Sequence, residues 1–327
     1  MTGLVDSFSR RIDYMRVSVT DRCNLNCIYC TDRSLAHLSH DDILRYEEIR
    51  AIVQAAAHLG VTKVRLTGGE PLARLHVSRL VKMLAELDGI EEVSMTTNGT
   101  MLARHAAELK AAGLRRVNVS LDTFRPDRFR QITGNDKLSD VLEGIQAAAE
   151  AGLNPVKLNM VVLRGVNDDE VVNMARKTAT DGWHVRFIEH MPFVTATAKA
   201  NGLVGVGEIA RMIEDSLGKL TPYFPSSGNG PAKYYQIAGA AGTIGFIGAV
   251  TECFCAQCNR FRLTADGGLR PCLLDDDEID VKGPLRRGAT TRELEDLIRK
   301  AAAAKKEQHH LGENHLPEKR RMRQIGG

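Results

Sequence analysis

The sequence predicts an α/β protein with a partial (β/α)6 TIM-like barrel followed by a smaller C-terminal domain. Three observations carry this prediction. Six short apolar runs alternate with longer amphipathic runs, the alternation stops near residue 192, and all seven cysteines fall in two groups. Regular strand–helix alternation is typical of parallel sheets. We therefore expect a barrel domain over 1–200 and a second domain over 201–327.

The candidate strands are rich in Val, Ile and Leu, as expected for parallel strands buried on both faces. They cover residues 14–20, 63–67, 92–97, 116–121, 156–162 and 185–189. Six strands are too few to close an eight-stranded barrel, and a doubly wound open sheet is the alternative. Both architectures place ligands at the carboxyl ends of the strands.

Helices are predicted between these strands. The runs 46–59, 103–112 and 139–151 each end at a glycine suited to a C-cap, and Asp168 begins a further helix. After residue 192 we expect a helix ending near Leu217, a hairpin with its turn at 265–268, and a helix over 291–305. The basic tail ends in Gly326-Gly327.

Composition limits the class of protein. Apolar residues make up 43% of the chain, charged residues 26%, and the net charge is +3. This charge is too small to indicate a nucleic-acid partner, although a local phosphate pocket fits. No apolar run approaches the length of a membrane span, and the N-terminus has no apolar signal core. We expect a cytoplasmic protein with no membrane partner.

The first cysteine group, Cys23-x3-Cys27-x2-Cys30, follows the first strand. Three thiolates on one loop can bind three irons of a cubane and leave the fourth iron open to a ligand. A structural zinc loop is the alternative, with His37 or His40 as a fourth ligand.

The second group contains Cys255, Cys258 and Cys272, and three cysteines could again hold a cluster with one open iron. Spacing alone does not decide its metal. Cys253 would complete a zinc ribbon with four cysteine ligands, so both alternatives stay open on the residues.

The motifs around these cysteines resemble known families. CxxxCxxC with Tyr29 before the last cysteine is the signature of the radical S-adenosylmethionine (SAM) superfamily, and Thr67-Gly68-Gly69-Glu70-Pro71 fits its second strand. The run from Phe254 to Leu273 is similar to the C-terminal motif of the GTP 3′,8-cyclase family of molybdenum cofactor synthesis. This chain departs from the family pattern at two places. Cys253 is an additional cysteine, and the last cysteine of the first group, Cys30, is followed by Thr31-Asp32 where the family usually has Met-Pro.

The resemblance implies two [4Fe-4S] clusters and SAM as cofactors. The implied cluster ligands are Cys23, Cys27, Cys30, Cys255, Cys258 and Cys272. The implied SAM contacts are Tyr29, Gly69, Ser120 and Met191. The implied GTP contacts are Arg16, Arg65, Thr96, Lys157, Arg260, Phe261 and Arg262. Arg186 is a further candidate on the residues themselves, because it is a cation within an apolar run, as Arg65 is.

The resemblance also implies the reaction. A 5′-deoxyadenosyl radical would abstract the ribose 3′ hydrogen of GTP, C3′ would couple to guanine C8, and 3′,8-cyclo-7,8-dihydro-GTP would form. The implied partners are cyclic pyranopterin monophosphate synthase, an electron donor and a second copy in a homodimer. The Gly-Gly end would enter the active site. A radical SAM peptide-modifying maturase and a zinc-binding interaction protein are the rival functions.

Overall fold

A computed structural model describes residues 3–30, 36–191, 202–225, 230–309, 317 and 319–326. Its strands are β1 (Tyr14–Ser18), β2 (Lys63–Thr67), β3 (Glu92–Thr97), β4 (Arg116–Ser120), β5 (Lys157–Val162), β6 (His184–Glu189), β7 (Leu220–Tyr223), β8 (Lys233–Ile237), β9 (Ile244–Ile247), β10 (Arg260–Leu263), β11 (Gly268–Arg270) and β12 (Ile279–Asp280). Its α-helices are α1 (Tyr46–His58), α2 (Val77–Ala85), α3 (Leu102–Ala111), α4 (Pro126–Thr133), α5 (Leu138–Glu150), α6 (Val171–Thr180), α7 (Val206–Leu217), α8 (Lys282–Arg286), α9 (Thr291–Ala303) and α10 (Met322–Ile325). None of these helices is both long and apolar enough to cross a bilayer.

The twelve strands form one sheet in the order β12-β11-β10-β1-β2-β3-β4-β5-β6-β9-β8-β7. Strands β1 to β6 are neighbours in chain order and run parallel. A doubly wound sheet would reverse its strand order in the middle. The sheet order therefore confirms the predicted partial barrel and excludes the doubly wound alternative.

The C-terminal part of the chain extends this sheet at both edges. Strand β10 pairs in parallel with β1, and β9 pairs in parallel with β6. Beyond them, the antiparallel pairs β10–β11 and β8–β9 continue the sheet outward. The two parts thus share one sheet, and the boundary near residue 200 stays a prediction.

The strands bury both faces, as expected, but only one face is apolar. On β2, Val64 and Leu66 join the hydrophobic core, whereas Arg65 and Thr67 are buried on the opposite face. Because side chains alternate along a strand, the other barrel strands show the same division. Helices cover the apolar face, so the polar face is the inner wall of the barrel.

Three helices end at the glycines that the sequence predicts as C-caps. Gly60, Gly113 and Gly152 follow α1, α3 and α5 with φ of +97°, +101° and +74°, a backbone region that glycine adopts without steric cost. In α1, Ile49, Ile52 and Ala56 recur at helical spacing and are fully buried. The predicted hairpin is also present, since β10 and β11 pair across a turn at 264–267.

Several elements were not predicted, among them α2, α4 and β7. Helices α2 and α4 lie between the predicted elements, and α4 begins with Pro126, a residue suited to the first helical position. Strand β7 contains Pro222, which favours a turn in the sequence. Proline is tolerated there because β7 is the edge strand of the sheet.

Candidate active site

A cavity of about 310 Å³ lies inside the barrel. All six predicted cluster cysteines line it, together with every predicted SAM and GTP contact residue. The structure therefore gathers these residues at one place, and their individual roles stay predictions. Cys253 is exposed and is not part of the lining.

The first cysteine group lies on the segment after β1, where it packs against the end of β2. The Gly69 amide donates to Thr20 O at 2.7 Å and the Glu70 amide donates to Arg22 O at 2.8 Å. A Cβ on Gly69 would come within 2.4 Å of Arg22 O. The glycines of the TGGEP motif are therefore needed for the cysteine segment to dock on β2, in addition to any contact with SAM.

The surroundings of the first group favour neutral thiols while no metal is bound. Burial raises the pKa of Cys27 well above its usual range, and burial together with Cys23 raises the pKa of Cys30 to about 12. A bound metal reverses this preference because it stabilises the thiolate directly. The donor set and its enclosure thus fit a cluster held by three cysteines.

The zinc alternative for this group is not supported. His37 lies 3.3 Å from Asp21 through Nδ1, and His40 is exposed. Among the described residues, no three of the six cavity cysteines lie close enough to bind one ion. This separation is expected when each thiolate binds a different iron. Thr31 and Asp32, where the sequence departs from the family pattern, lie outside the described residues.

Tyr29 is fixed by a buried carboxylate. Its hydroxyl donates to Asp122 Oδ2 at 2.7 Å, and the Val161 amide donates to Asp122 Oδ1 at 2.8 Å. Burial raises the pKa of Asp122 to about 6, although the Tyr29 hydrogen bond opposes the rise. Asp122 connects the first cysteine segment to β5, a role that the sequence did not predict.

The second cysteine group flanks the β10–β11 hairpin. Cys255 and Cys258 lie in the 3₁₀ turn before β10, and Cys272 follows β11. Lys305 holds the two flanks together, since its Nζ donates to Arg260 O at 3.0 Å and to Pro271 O at 2.7 Å. Burial acts to raise the pKa of Cys258, but the charges of Lys305 and Arg260 lower it overall.

Cations dominate the inner face of the sheet. Arg16 on β1 is the register partner of Arg65 on β2 and of Arg262 on β10. Arg186 and Lys157 follow on β6 and β5, and both line the cavity. Like charges on neighbouring strands are destabilising unless a ligand compensates them. The arrangement is suited to a polyanion such as a nucleotide triphosphate.

The pKa shifts in this group agree with that interpretation. Burial lowers the pKa of Arg16 to about 10 and that of Arg186 to about 10, with further lowering by neighbouring arginines. Burial, then Arg186 and Arg116, lowers the pKa of Lys157 to about 7. An anion bound here would raise all three pKa values.

Several buried polar atoms in this region have no hydrogen-bond partner within the described part of the chain. They include the donors Arg65 Nη1, Arg186 Nε, Arg186 Nη2 and Arg260 Nε, the hydroxyl Thr96 Oγ1, and the acceptors Asn118 Oδ1 and Asn159 Oδ1. Buried polar atoms normally have partners, and those without one indicate where a ligand or water binds. Both donors and acceptors remain available, which fits a nucleotide better than a simple phosphate.

Phe261 differs from the other predicted substrate contacts. It pairs with Met15 in register, and both side chains lie in the hydrophobic core, whereas Arg260 and Arg262 alternate onto the cavity face. A contact from Phe261 to GTP would therefore have to use its backbone. That contact stays a prediction.

The C-terminal tail reaches the same cavity. The Gly326 carbonyl accepts hydrogen bonds from Arg262 Nη1 at 2.9 Å, Thr67 Oγ1 at 3.1 Å and Arg16 Nη2 at 3.4 Å. Its φ is +79°, and a Cβ there would lie 2.4 Å from Thr67 Oγ1. Ile325 packs against Leu274 beside it. Gly327 lies outside the described residues.

Some residues that line the cavity were not predicted from the sequence. Tyr14, Asn118 and Asn159 line the cavity, and Tyr14 accepts a hydrogen bond from Arg65 Nε. Period-two alternation is the pattern that could have identified them, because polar residues occupy every second position of β1 and β4 and the first two such positions of β5. The overall Val and Ile content of the strands conceals this alternation.

Comparisons with known proteins agree with the site. Residues 17–178 match the family model of the radical SAM superfamily, and residues 183–311 match that of Molybdenum Cofactor Synthesis C. A GTP 3′,8-cyclase of Pelotomaculum thermopropionicum is 52% identical over 98% of this chain and 99% of its own length. One of Heliobacterium modesticaldum is 50% identical over 99% of this chain and 100% of its own length.

Solved structures share the fold at low identity. Streptococcus suis SuiB bound to S-adenosylmethionine has a TM-score of 0.63 and 14% identity, over 82% of this chain. The present chain spans 63% of the length of SuiB. A structure of anSMEcpe with bound AdoMet has a TM-score of 0.58 and 17% identity, over 93% of this chain and 79% of that one. These likenesses show a shared fold. The family models and the near full-length relatives show that the chain belongs to the GTP 3′,8-cyclase family of the radical SAM superfamily, enzymes that use SAM and an iron–sulfur cluster.

Proposed function

We propose that this protein converts GTP into (8S)-3′,8-cyclo-7,8-dihydroguanosine 5′-triphosphate, joining ribose C3′ to guanine C8 in the first step of molybdenum cofactor synthesis. One observation carries the proposal: two three-cysteine groups and a row of buried cations line the same cavity. A peptide substrate would not need this concentration of positive charge. The relatives named GTP 3′,8-cyclase support the same substrate.

In this proposal Cys23, Cys27 and Cys30 hold the SAM-binding cluster, and Cys255, Cys258 and Cys272 hold the second. When bound, the first cluster and SAM supply the one-electron chemistry that removes a hydrogen from substrate. The protein contributes enclosure and orientation. The SAM contacts are proposed to be Tyr29, Gly69, Ser120 and Met191, all on the cavity wall.

Recognition of the triphosphate is assigned to the cations of the inner sheet face. Arginine forks bind phosphate oxygens bidentately, and Lys157 adds a compact charge. Tyr14 orients Arg65 by accepting from its Nε, and Tyr234 lies beside Lys157, with its ring centroid 4.9 Å from Nζ. Arg260 and Arg262 adjoin the second cysteine group, and we assign to them the orientation of the guanine end. Thr96 offers a buried hydroxyl to the ribose or phosphates.

The Gly326 carbonyl is proposed to help arrange the substrate-binding arginines, since it accepts hydrogen bonds from Arg16 and Arg262. Cyclic pyranopterin monophosphate synthase as pathway partner, an electron donor, a homodimer and a cytoplasmic location complete the proposal. They are supported by the family resemblance alone.

The decisive experiment uses anaerobically reconstituted protein. Two [4Fe-4S] clusters predict about eight irons and about eight sulfides per chain. We expect 5′-deoxyadenosine to form with GTP present and not with GTP omitted. Zinc without iron would overturn the proposal, and 5′-deoxyadenosine formation that ignores GTP would favour a peptide maturase instead.

Cys272→Ser separates the two clusters. We expect this variant to retain part of its SAM cleavage and to lose GTP cyclisation, because only the second cysteine group is broken. Cys253→Ser is the matched control, since Cys253 is outside the cavity, and it should retain both activities. Unchanged cyclisation in Cys272→Ser would remove the second cluster from the mechanism.

A further inference from the structure

A further group of candidate metal ligands shares Cys255 with the second cysteine group. The sulfurs of Cys253 and Cys255 and a ring nitrogen of His309 all lie within 4.8 Å of one another. Cys253 is exposed, whereas Cys255 is buried and also lines the cavity. Among the described residues, this is the one set of His, Cys, Asp or Glu that a single ion could reach.

The backbone around this group is held in place by a buried ion pair. Arg10 Nε donates to Asp6 Oδ2 at 2.6 Å, and both side chains are almost fully buried. Arg10 Nη1 donates to Cys255 O at 2.8 Å and to Glu307 O at 2.7 Å. This guanidinium therefore fixes the turn that carries both cysteines beside the segment that leads to His309.

The segment that carries His309 has further anchors. Arg10 Nη2 donates to Lys306 O at 2.6 Å, and Lys306 Nζ forms an ion pair with Asp275 at 2.5 Å. The His309 backbone amide donates to the Cys255 sulfur. The three donors are thus pre-arranged by contacts that do not involve a metal.

Two thiols and one imidazole are the donors preferred by thiophilic divalent cations such as Zn²⁺. In a tetrahedral site, Zn–S bonds of about 2.3 Å and Zn–N bonds of about 2.0–2.1 Å place the ligand atoms about 3.5–3.8 Å apart. The three ligand atoms lie within 4.8 Å of one another, so side-chain rotations must bring them closer by up to about 1 Å to bind one ion. Exposure of Cys253 leaves the fourth coordination position to water.

We propose that Cys253, Cys255 and His309 form a mononuclear site for a thiophilic divalent cation, filled when the second cluster is absent. Binding forms two metal–sulfur bonds and one metal–nitrogen bond, and it releases two thiol protons to solvent. The inference rests on the proposed function in one respect, since Cys255 is a ligand of the second cluster there. The Cys255 sulfur cannot be a terminal ligand of the mononuclear cation and of a cluster iron at the same time, so the cation and the cluster compete for it.

The direct test uses cluster-free, full-length protein with Cys23 and Cys27 replaced by alanine, so that the first triad cannot bind a probe ion. Co²⁺ is titrated under anaerobic conditions, and thiolate-to-cobalt charge-transfer absorbance reports binding. Cys253→Ala and His309→Ala should each weaken Co²⁺ binding by about 10-fold or more. Circular dichroism of each variant checks that the fold is retained.

Cys258→Ala is the matched control because Cys258 belongs to the cluster triad but not to the proposed cation site. It should leave Co²⁺ affinity within about 2-fold of the parent protein. The inference is overturned if Cys258→Ala weakens binding and Cys253→Ala does not, since the cluster triad would then be the Co²⁺ site.

A second measurement tests the competition. Otherwise unmodified protein loaded with one equivalent of Zn²⁺ should reconstitute its second cluster several-fold more slowly than unloaded protein, as judged by iron content. Cys253→Ala should remove this delay and still turn over GTP once reconstituted. An equal delay in both proteins refutes the competition. Loss of GTP turnover in the reconstituted parent protein would instead refute the proposed function.

Discussion

Arg16, Arg65 and Arg262 are register partners on three neighbouring strands, an arrangement that a protein selected for stability alone would avoid. Burial of these cations destabilises the folded chain until an anion binds. Stability lost at a binding site is a common consequence of function. Replacing one of these buried cations by a neutral residue should therefore stabilise the ligand-free protein and weaken its binding of an anion.

Lys157→Met is the clearest case. Because burial lowers the pKa of Lys157 to about 7 from 10.5, the unfolded chain binds more protons between those values. The stability of the GTP-free protein should thus rise from pH 7 to pH 10, and Lys157→Met should flatten this rise. At pH 7 we expect the variant to gain about 2–4 °C in Tm and to bind GTP about 10-fold more weakly or worse.

Calorimetry supplies a further check on Lys157. GTP binding near pH 7 should be accompanied by proton uptake in the parent protein, because the triphosphate raises the pKa of Lys157. Titrations in two buffers with different ionisation enthalpies measure this uptake. An uptake of the same size in Lys157→Met would show that another group is responsible.

Gly69→Ala tests whether the first cysteine segment depends on close backbone contact. The new Cβ would lie 2.4 Å from Arg22 O, so the segment must move away from β2. We expect a loss of about 1–3 kcal/mol in stability and incomplete iron loading of the first group. Gly207→Ala is the control, since nothing lies within 4 Å of its Cβ in α7. It should stabilise by about 0.5–1 kcal/mol.

At the scale of elements, the local parts of the fold could be predicted from the sequence. The bounds of β2 and β3 follow from their apolar runs and glycine-capped neighbours, because short-range patterning decides them. The pairing of β10 with β1 could not be predicted, since it joins residues 246 positions apart, such as Tyr14 and Arg260. The approach of Gly326 to Thr67 is equally long-range, and only the family resemblance indicated that the tail would enter the active site.

The same distinction applies to the candidate site. The cysteines and Arg65 could be predicted because spacing, or a charge within an apolar run, distinguishes them. Asp122 and Asn159 are ordinary polar residues in sequence, and only the shared cavity face shows what they contact.

The tail supplies a prediction at this scale. Gly326→Ala would place a Cβ 2.4 Å from Thr67 Oγ1 and 2.9 Å from Ser18 Cβ, so the tail should leave the cavity. We expect kcat for GTP cyclisation to fall by about 10-fold or more, with cluster content unchanged. Gly288→Ala has a similar positive φ of +90° but no atom within 4 Å. This control shares the backbone strain and should keep its activity.

At the scale of the whole molecule, the C-terminal part completes the sheet as well as carrying cysteines. Strands β9 and β10 cover the edges of β6 and β1, which would otherwise expose unpaired backbone groups. The hydrophobic core is likewise shared, since Phe261 and Leu263 pack in the same cluster as Met15 and Val17.

This shared sheet predicts cooperative unfolding. The full chain should unfold in one thermal transition, and residues 1–200 alone should be aggregated or largely unfolded. Calorimetry of the full chain and light scattering of the fragment measure these outcomes. Two separate transitions, or a soluble and monomeric fragment, would show that the predicted barrel domain is autonomous.

The pairing of β10 with β1 also has a consequence during synthesis on the ribosome. Strand β1 is made roughly 240 residues before β10, its partner on that edge. At about 5–20 residues per second, the edge of β1 waits roughly 12–50 s for its partner. The nascent chain therefore carries an open, aggregation-prone edge for most of its translation, and we expect its yield to depend on chaperone capacity more than on final stability.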